Sequence, residues 1–119
     1  MIYAAILKNN TILADYSEDQ GDFQLMLTKF FSVNKQNLEF YVLPYSRYEF
    51  AFLHFQEFTF SSITYQNSGK FIIIVDCERT LLFLQQCKQS FLDLIKYNKD
   101  NLTLKTTTLL KDLLVINQN

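Results

Sequence analysis

The sequence predicts a mixed α/β domain of the α+β type, with a five-stranded, mainly antiparallel sheet between one helix on one face and two on the other. Three observations predict it. Residues 2–7 are apolar on both alternating faces, residues 23–31 repeat apolar side chains at helical spacing, and residues 38–75 are rich in β-branched and aromatic side chains. The expected element order is ββαβββαα, and a chain of 119 residues fits one domain, 1–119.

The first two elements are predicted as an antiparallel hairpin. A strand over 2–7 and a second strand over 11–16 are separated by Asn9 and Asn10. Asparagine tolerates the positive φ angles of a tight turn, so this pair suits a short connection.

An amphipathic helix follows the hairpin. Its apolar side chains recur at i, i+3, i+4, i+7 and i+8, the spacing of one helix face. They are Phe23, Met26, Leu27, Phe30 and Phe31. Asp22 is placed to cap this helix or to favour its first turn.

The middle of the chain predicts strands near 48–55, 57–66 and 70–76. The last of these is apolar on both faces, which is typical of a central strand covered by helices on both sides. Residues 36–46 fit either an extra strand or a long connection.

Two helices are expected to close the domain. After Asp76 the apolar period becomes helical, with Leu84, Cys87 and Phe91 on one face, and a polar break follows at 98–101. Residues 106–108 are threonines that can cap a last short helix with a leucine face.

Composition argues against several functions. Apolar residues make up 49% of the chain, charged residues 19%, and the net charge of −1 is scattered, so neither nucleic acid nor direct membrane insertion is expected. Phe50, Phe52, Phe58 and Phe60 would suit base stacking, but the basic residues that accompany it are missing. Core packing is the expected role of these rings.

Catalytic side chains are few. The single histidine, His54, lies in an aromatic strand and is expected to be a hydrogen-bonded sheet histidine rather than a general base. Asp76 and Glu78, at a predicted strand end, are expected to cap a helix rather than bind a metal, and Cys77 lacks an activating base. Cys77 and Cys87 are expected to be reduced thiols. The sequence therefore predicts a protein that is not an enzyme, with no cofactor and no metal.

These elements together resemble the longin domain, the profilin-like N-terminal module of longin-type vesicle SNAREs. The resemblance rests on weak motifs spread over nearly the whole chain. They are the strand Ile2–Leu7, residues Thr11–Ala14, the helix entry Gly21–Phe23, the pair Val75-Asp76, Phe83-Leu84 with Phe91, and Thr108–Leu113.

The resemblance implies a non-catalytic protein-interaction module in vesicle trafficking, on the cytosolic face of endomembranes. In this family the groove between the first helix and the third strand accepts an apolar helical or extended segment. The side chains carried over to that groove are Met26, Phe30 and Phe31 from the helix and Phe52 or Phe55 from the strand. The implied partners are a SNARE motif, a coat or tether subunit, or a small GTPase regulator, while plain core packing is the competing role for these side chains.

One departure from the family concerns residues 36–50, which are longer than the usual longin connection and leave the register of the third strand open. A second concerns the region that comes after the domain. Longin SNAREs continue into a heptad region with a central arginine and a membrane anchor. Such a region beyond residue 119 would indicate a SNARE, whereas a chain that ends there would indicate a stand-alone subunit of a tethering, adaptor or GTPase-regulating complex.

Overall fold

The computed structural model of the chain describes residues 1–66, 73–97 and 102–117, and of residues 73–77 it describes only the backbone. Within these residues the fold is mixed α+β, with a five-stranded antiparallel sheet and three helices. The elements in chain order are β1 (Tyr3–Lys8), β2 (Thr11–Ser17), α1 (Phe23–Asn34), β3 (Phe40–Tyr45), β4 (Tyr48–Phe55), β5 (Phe58–Tyr65), α2 (Ile73–Tyr97) and α3 (Leu102–Ile116).

The strands lie in the order β2-β1-β5-β4-β3, and every neighbouring pair is antiparallel. Tight turns join β1 to β2, β3 to β4 and β4 to β5. Each of these turns holds one residue at positive φ, namely Asn9 (57°), Ser46 (56°) and Gln56 (56°). The predicted hairpin over the first two strands is confirmed, and Asn9 supplies its left-handed residue as expected.

The predicted central strand over 70–76 is wrong for residues 73–76, because α2 begins at Ile73. Residues 70–72 lie outside the described part of the chain. A short apolar run bounded by polar residues suits a buried helix as well as a buried strand, so periodicity alone could not separate the two. The fifth strand comes instead from the uncertain segment 36–46, where residues 40–45 pair with β4. The predicted element order ββαβββαα is therefore the observed one, but one of its strands is formed by residues 40–45 and not by residues 70–76.

Side chains alternate between the two faces of the sheet and form two separate cores. Tyr3, Phe50 and Phe52 point to the face covered by α1, where they meet Leu27 and Phe31. The other face is covered by both α2 and α3. Its buried side chains include Ala4, Ile6, Ala51, Phe60, Phe83, Phe91 and Leu114. One helix thus covers one face and two helices cover the other.

The entry into α1 is shaped by Gly21. A Cβ atom at this position would lie 3.2 Å from two ring carbons of Phe23, and the φ of 157° also disfavours other residues. Asp22 occupies the N-cap position, but its side chain makes no capping hydrogen bond, so only its backbone carbonyl receives the N–H of Met26 (2.9 Å). Of the two predicted roles of Asp22, side-chain capping of α1 is therefore wrong, and a favourable effect of its charge on the first turn stays a prediction.

Both cysteines lie on α2, and Cys77 is not at a strand end as expected. Ten helical positions separate their Cα atoms by about 15 Å, more than the roughly 7 Å that a disulfide spans. Cys87 is free and buried, and burial raises the pKa of its thiol to about 12.

None of the helices in the described ranges is long and apolar enough to cross a membrane.

Candidate functional site

An open groove of about 440 Å³ runs between α1 and the end of β3. We call it the α1 groove. Its walls are mainly apolar, with one amine and one carboxylate among them. The side chains that line it are Asp22, Leu25, Met26, Lys29, Phe30, Val33, Asn34 and Tyr45.

The walls of the α1 groove are unusually exposed for apolar side chains. Val33 is 81% exposed, Leu25 53% and Tyr45 50%. Exposed apolar side chains that adjoin one another, unlike isolated ones, mark surfaces that bind partners. The groove is therefore the strongest candidate for an interaction site in the described part of the chain.

Phe30 forms the floor of the groove. Its ring lies 5.1 Å from that of Tyr45 and 4.4 Å from that of Phe50, measured between centroids, and only 9% of the residue is exposed. The aromatic floor is thus anchored in the core beneath α1. A polar substitution of Phe30 would unfold this core as well as alter the groove.

The structure brings two of the five predicted groove residues to the α1 groove. Met26 is partly buried and lines it together with Phe30. Phe31 and Phe52 are instead core side chains, 1% and 0% exposed, stacked on each other with centroids 5.1 Å apart. Phe55 lies on the opposite face of the sheet, beneath α2, with the Lys88 amine 4.2 Å from its ring centroid.

The error at Phe52 and Phe55 has a simple cause. The resemblance places both on the third strand, but they belong to β4, which is interior to the sheet, while β3 is formed by residues 40–45. Strand residues separated by an odd number of positions point to opposite faces, so only one of these two alternatives, Phe52, faces α1, and it is buried in the core there.

Sequence reasoning missed Leu25, Val33 and Tyr45. A signal for the first two was present, because they are apolar residues on α1 that fall outside the stripe buried against the sheet. For Tyr45 no signal existed, since its place beside α1 depends on the register of β3 with β4.

A second, polar cavity of about 330 Å³ opens beyond the C-terminal end of α1. Three connections converge there: the β1–β2 turn, the α1–β3 connection and the β4–β5 turn. The cavity takes its lining from Asn9, Lys35, Glu39, His54, Glu57 and Thr59, among other side chains.

His54 is a hydrogen-bonded sheet histidine, as predicted. Its Nδ1 lies 2.9 Å from the Thr59 hydroxyl and its Nε2 lies 3.0 Å from the Tyr41 hydroxyl, which in turn accepts the backbone N–H of Gln36 (3.1 Å). Burial, and then the positive charge of Lys35, lower the pKa of His54. The neutral imidazole is therefore the form that the fold favours.

The aromatic side chains considered as a base-stacking surface are inaccessible. Phe50, Phe52 and Phe60 are 0% exposed and Phe58 is 9% exposed, because helices cover both faces of the sheet. Among the residues that the structure describes, no group of three His, Cys, Asp or Glu side chains could hold a metal ion. Asp76 lies in the first turn of α2, and Glu78 lies in the next turn.

Three further exposed apolar side chains lie on α2 and near the end of α3. Leu82, Val115 and Ile116 are all exposed, and the Asn117 amide donates to the Gln86 side chain (3.4 Å), which ties the two helices together at this point. We call these three side chains the α2–α3 patch.

Neither a scan against protein-family models nor a search among curated proteins finds a match to this chain.

Proposed function

We propose that this chain is a non-catalytic protein-interaction module of vesicle trafficking, resembling the regulatory N-terminal longin domain of an R-SNARE. Its partner is an apolar segment of SNARE type that occupies the α1 groove. Such a module works on the cytosolic face of endomembranes.

The observation that carries this proposal is the α1 groove itself. The longin resemblance implies a binding groove between the first helix and the third strand, and three of the exposed apolar side chains lie at that place. Leu25 and Val33 come from the helix and Tyr45 from the end of the third strand. A few apolar anchors of this kind supply most of the affinity in helix-in-groove recognition.

The layer arrangement gives further support. The element order ββαβββαα, with one helix on one face of an antiparallel sheet and two on the other, is the arrangement that the resemblance implies. The same arrangement alone does not distinguish a SNARE module from other uses of a fold, since function resides in the site.

The test is binding of recombinant coiled-coil segments of R-SNARE and Q-SNARE type to the full chain, measured by calorimetry. Val33→Asp is expected to reduce the affinity about ten-fold or more, because it places a charge in the apolar contact. Val115→Asp is a matched control, since Val115 is also an exposed helical valine but lies in the α2–α3 patch. The proposal fails if no segment binds, or if both variants bind as well as the parent chain.

A stand-alone subunit of a tethering, adaptor or GTPase-regulating complex is the second candidate, and the α2–α3 patch favours it. Ile116 is 71% exposed and Leu82 61%, so the helix pair offers an apolar surface that another chain could bury. The same two variants separate the candidates. A partner lost with Val115→Asp and kept with Val33→Asp would favour the subunit.

A further inference from the structure

We infer that the segment received by the α1 groove binds as an amphipathic helix with an acidic side chain facing Lys29, and that it does not add to the sheet as a strand along β3. This inference rests on the proposed function, and it specifies the chemistry and the binding mode of the partner. It depends on the backbone of β3, the shape of the groove and the charge of its wall.

The backbone of β3 alternates between bonding to β4 and facing outward. The N–H of His54 donates to the carbonyl of Glu39 (2.8 Å), which continues the β3–β4 register by one position. In an antiparallel pair the hydrogen-bonded positions recur at every second residue. The odd-numbered residues of β3 therefore bond to β4, and the even-numbered ones turn their backbone groups outward.

The outward-facing positions of β3 are Phe40, Val42 and Pro44. Proline has no N–H, so a strand added along this edge would lose a donor at the end of β3 that adjoins the α1 groove. The pyrrolidine ring also occupies the space that the incoming backbone needs. Proline on the solvent side of an edge strand is a common means of preventing strand addition.

The dimensions of the α1 groove fit a helix. The exposed apolar wall of the groove runs from Leu25 to Val33 along α1, and these eight helical positions span about 12 Å, or slightly more than two turns. An amphipathic helix presents apolar side chains at i, i+3 or i+4, and i+7 over the same length. Two or three such side chains would reach Phe30 on the groove floor.

Charge defines the partner further. Lys29 lies midway along the groove, between Met26 and Val33, and Asp22 lies at its end. An acidic side chain in the middle of the bound helix would pair with the Lys29 amine, whereas a basic one there would be repelled. The partner is therefore an amphipathic helix with an acidic residue beside its apolar stripe.

The test uses two displayed libraries of peptides of about 14 residues, roughly four helical turns. One library carries apolar residues at helical spacing and the other alternates apolar and polar residues. Both are selected on the full chain, and peptides that still bind the Val33→Asp variant are removed. The affinities of the survivors are then measured against Lys29→Glu and Pro44→Val variants whose melting temperatures match the parent chain.

We expect survivors from the helical library that carry an acidic residue. Lys29→Glu should weaken them about 2-fold to 5-fold, replacing their acidic residue by lysine should restore binding to that variant, and Pro44→Val should leave affinity unchanged. Survivors from the alternating library that bind Pro44→Val more tightly would overturn the inference and leave the proposed function standing. If neither library yields a peptide that depends on Val33, the inference and the groove-based function both fail.

Discussion

The two faces of the sheet are covered in different ways, one by a single helix and the other by two. Five strands are about 24 Å wide, and one helix with its side chains covers only about 10–12 Å of that width. The face beneath α1 fills the difference with rings, including Tyr3, Tyr41, Phe50 and Phe52. The face beneath α2 and α3 has two helices and includes small side chains, such as Ala4, Ala14 and Ala51, that let them approach.

The number of helices on each face explains why the candidate site lies beside α1. Two helices side by side seal most of their face, whereas a single helix leaves a margin along β3 at which Tyr45 and Phe30 meet. Aromatic rings fill the space beneath this margin. The margin is therefore a shallow groove that does not reach into the core. The open face is thus the one suited to receive another chain.

The substitution with the largest expected effect tests whether the face beneath α1 is packed as tightly as the face beneath α2 and α3. Phe52→Ala removes a ring that is 0% exposed and contacts Phe31 and Tyr41. We expect the free energy of unfolding to fall by about 3–5 kcal/mol, measured by urea titration. A loss below about 1 kcal/mol would mean that the rings beneath α1 are loosely packed and that the comparison is wrong.

A small-to-large substitution tests whether the side chains beneath α2 and α3 are tightly packed. Ala51→Leu adds volume where Ala51 is 2% exposed beneath the helices, and it should lower the free energy of unfolding by about 1–3 kcal/mol. Ala51→Ser, which adds almost no volume, serves as the control in the same denaturation experiment. An Ala51→Leu variant as stable as the parent would show that the core beneath α2 and α3 is loosely packed at this position.

A pH titration tests the polar end of the α1 face. Because the folded state lowers the pKa of His54 below the usual value of about 6.5, the unfolded chain takes up the proton first as the pH falls. The stability that His54 contributes should therefore be complete above about pH 7 and decline as the pH falls through about 6.5 towards the folded pKa. Urea midpoints between about pH 7.5 and 5.5 measure this slope.

His54→Gln is the control for that titration. Glutamine keeps hydrogen-bonding groups within reach of Thr59 and Tyr41 but does not titrate. The decline between about pH 7 and 5.5 should disappear in this variant. If the same decline persisted, other groups would be responsible for it.

The smallest expected effect concerns the outer side of α1. Val33→Asp should change the free energy of unfolding by less than about 0.5 kcal/mol, since Val33 is 81% exposed. Phe30→Asp, three residues earlier on the same helix, should unfold the domain, because Phe30 packs on Phe50. Melting curves of the two variants separate the groove wall from the groove floor. Equal destabilisation would show that Val33 is also part of the core.

Much of the fold can be predicted from local pattern. The alternation of side chains in residues 48–55 and the helical stripe from Phe23 to Phe31 predict the elements that the structure contains. The strand prediction fails at residues 73–76 because a run that is apolar on all sides satisfies both periods. Only two of the five predicted groove side chains line the groove. Phe52 and Phe55 do not, because β4 lies inside the sheet and β3 at its edge, and Phe31 does not, because it is buried in the core.

The sequence by itself determined the order of helices and strands, the two apolar faces of the sheet and the aromatic helix that covers one of them. These properties depend on neighbouring residues, whose spacing along the chain sets the direction of each side chain. The tertiary structure decided that Phe31 and Phe52 are core, that Leu25, Val33 and Tyr45 are surface, and that Pro44 lies on the edge strand of the described sheet. The register of β3 with β4 and the packing of α1 across the sheet join residues far apart in the chain, so no local pattern encodes them.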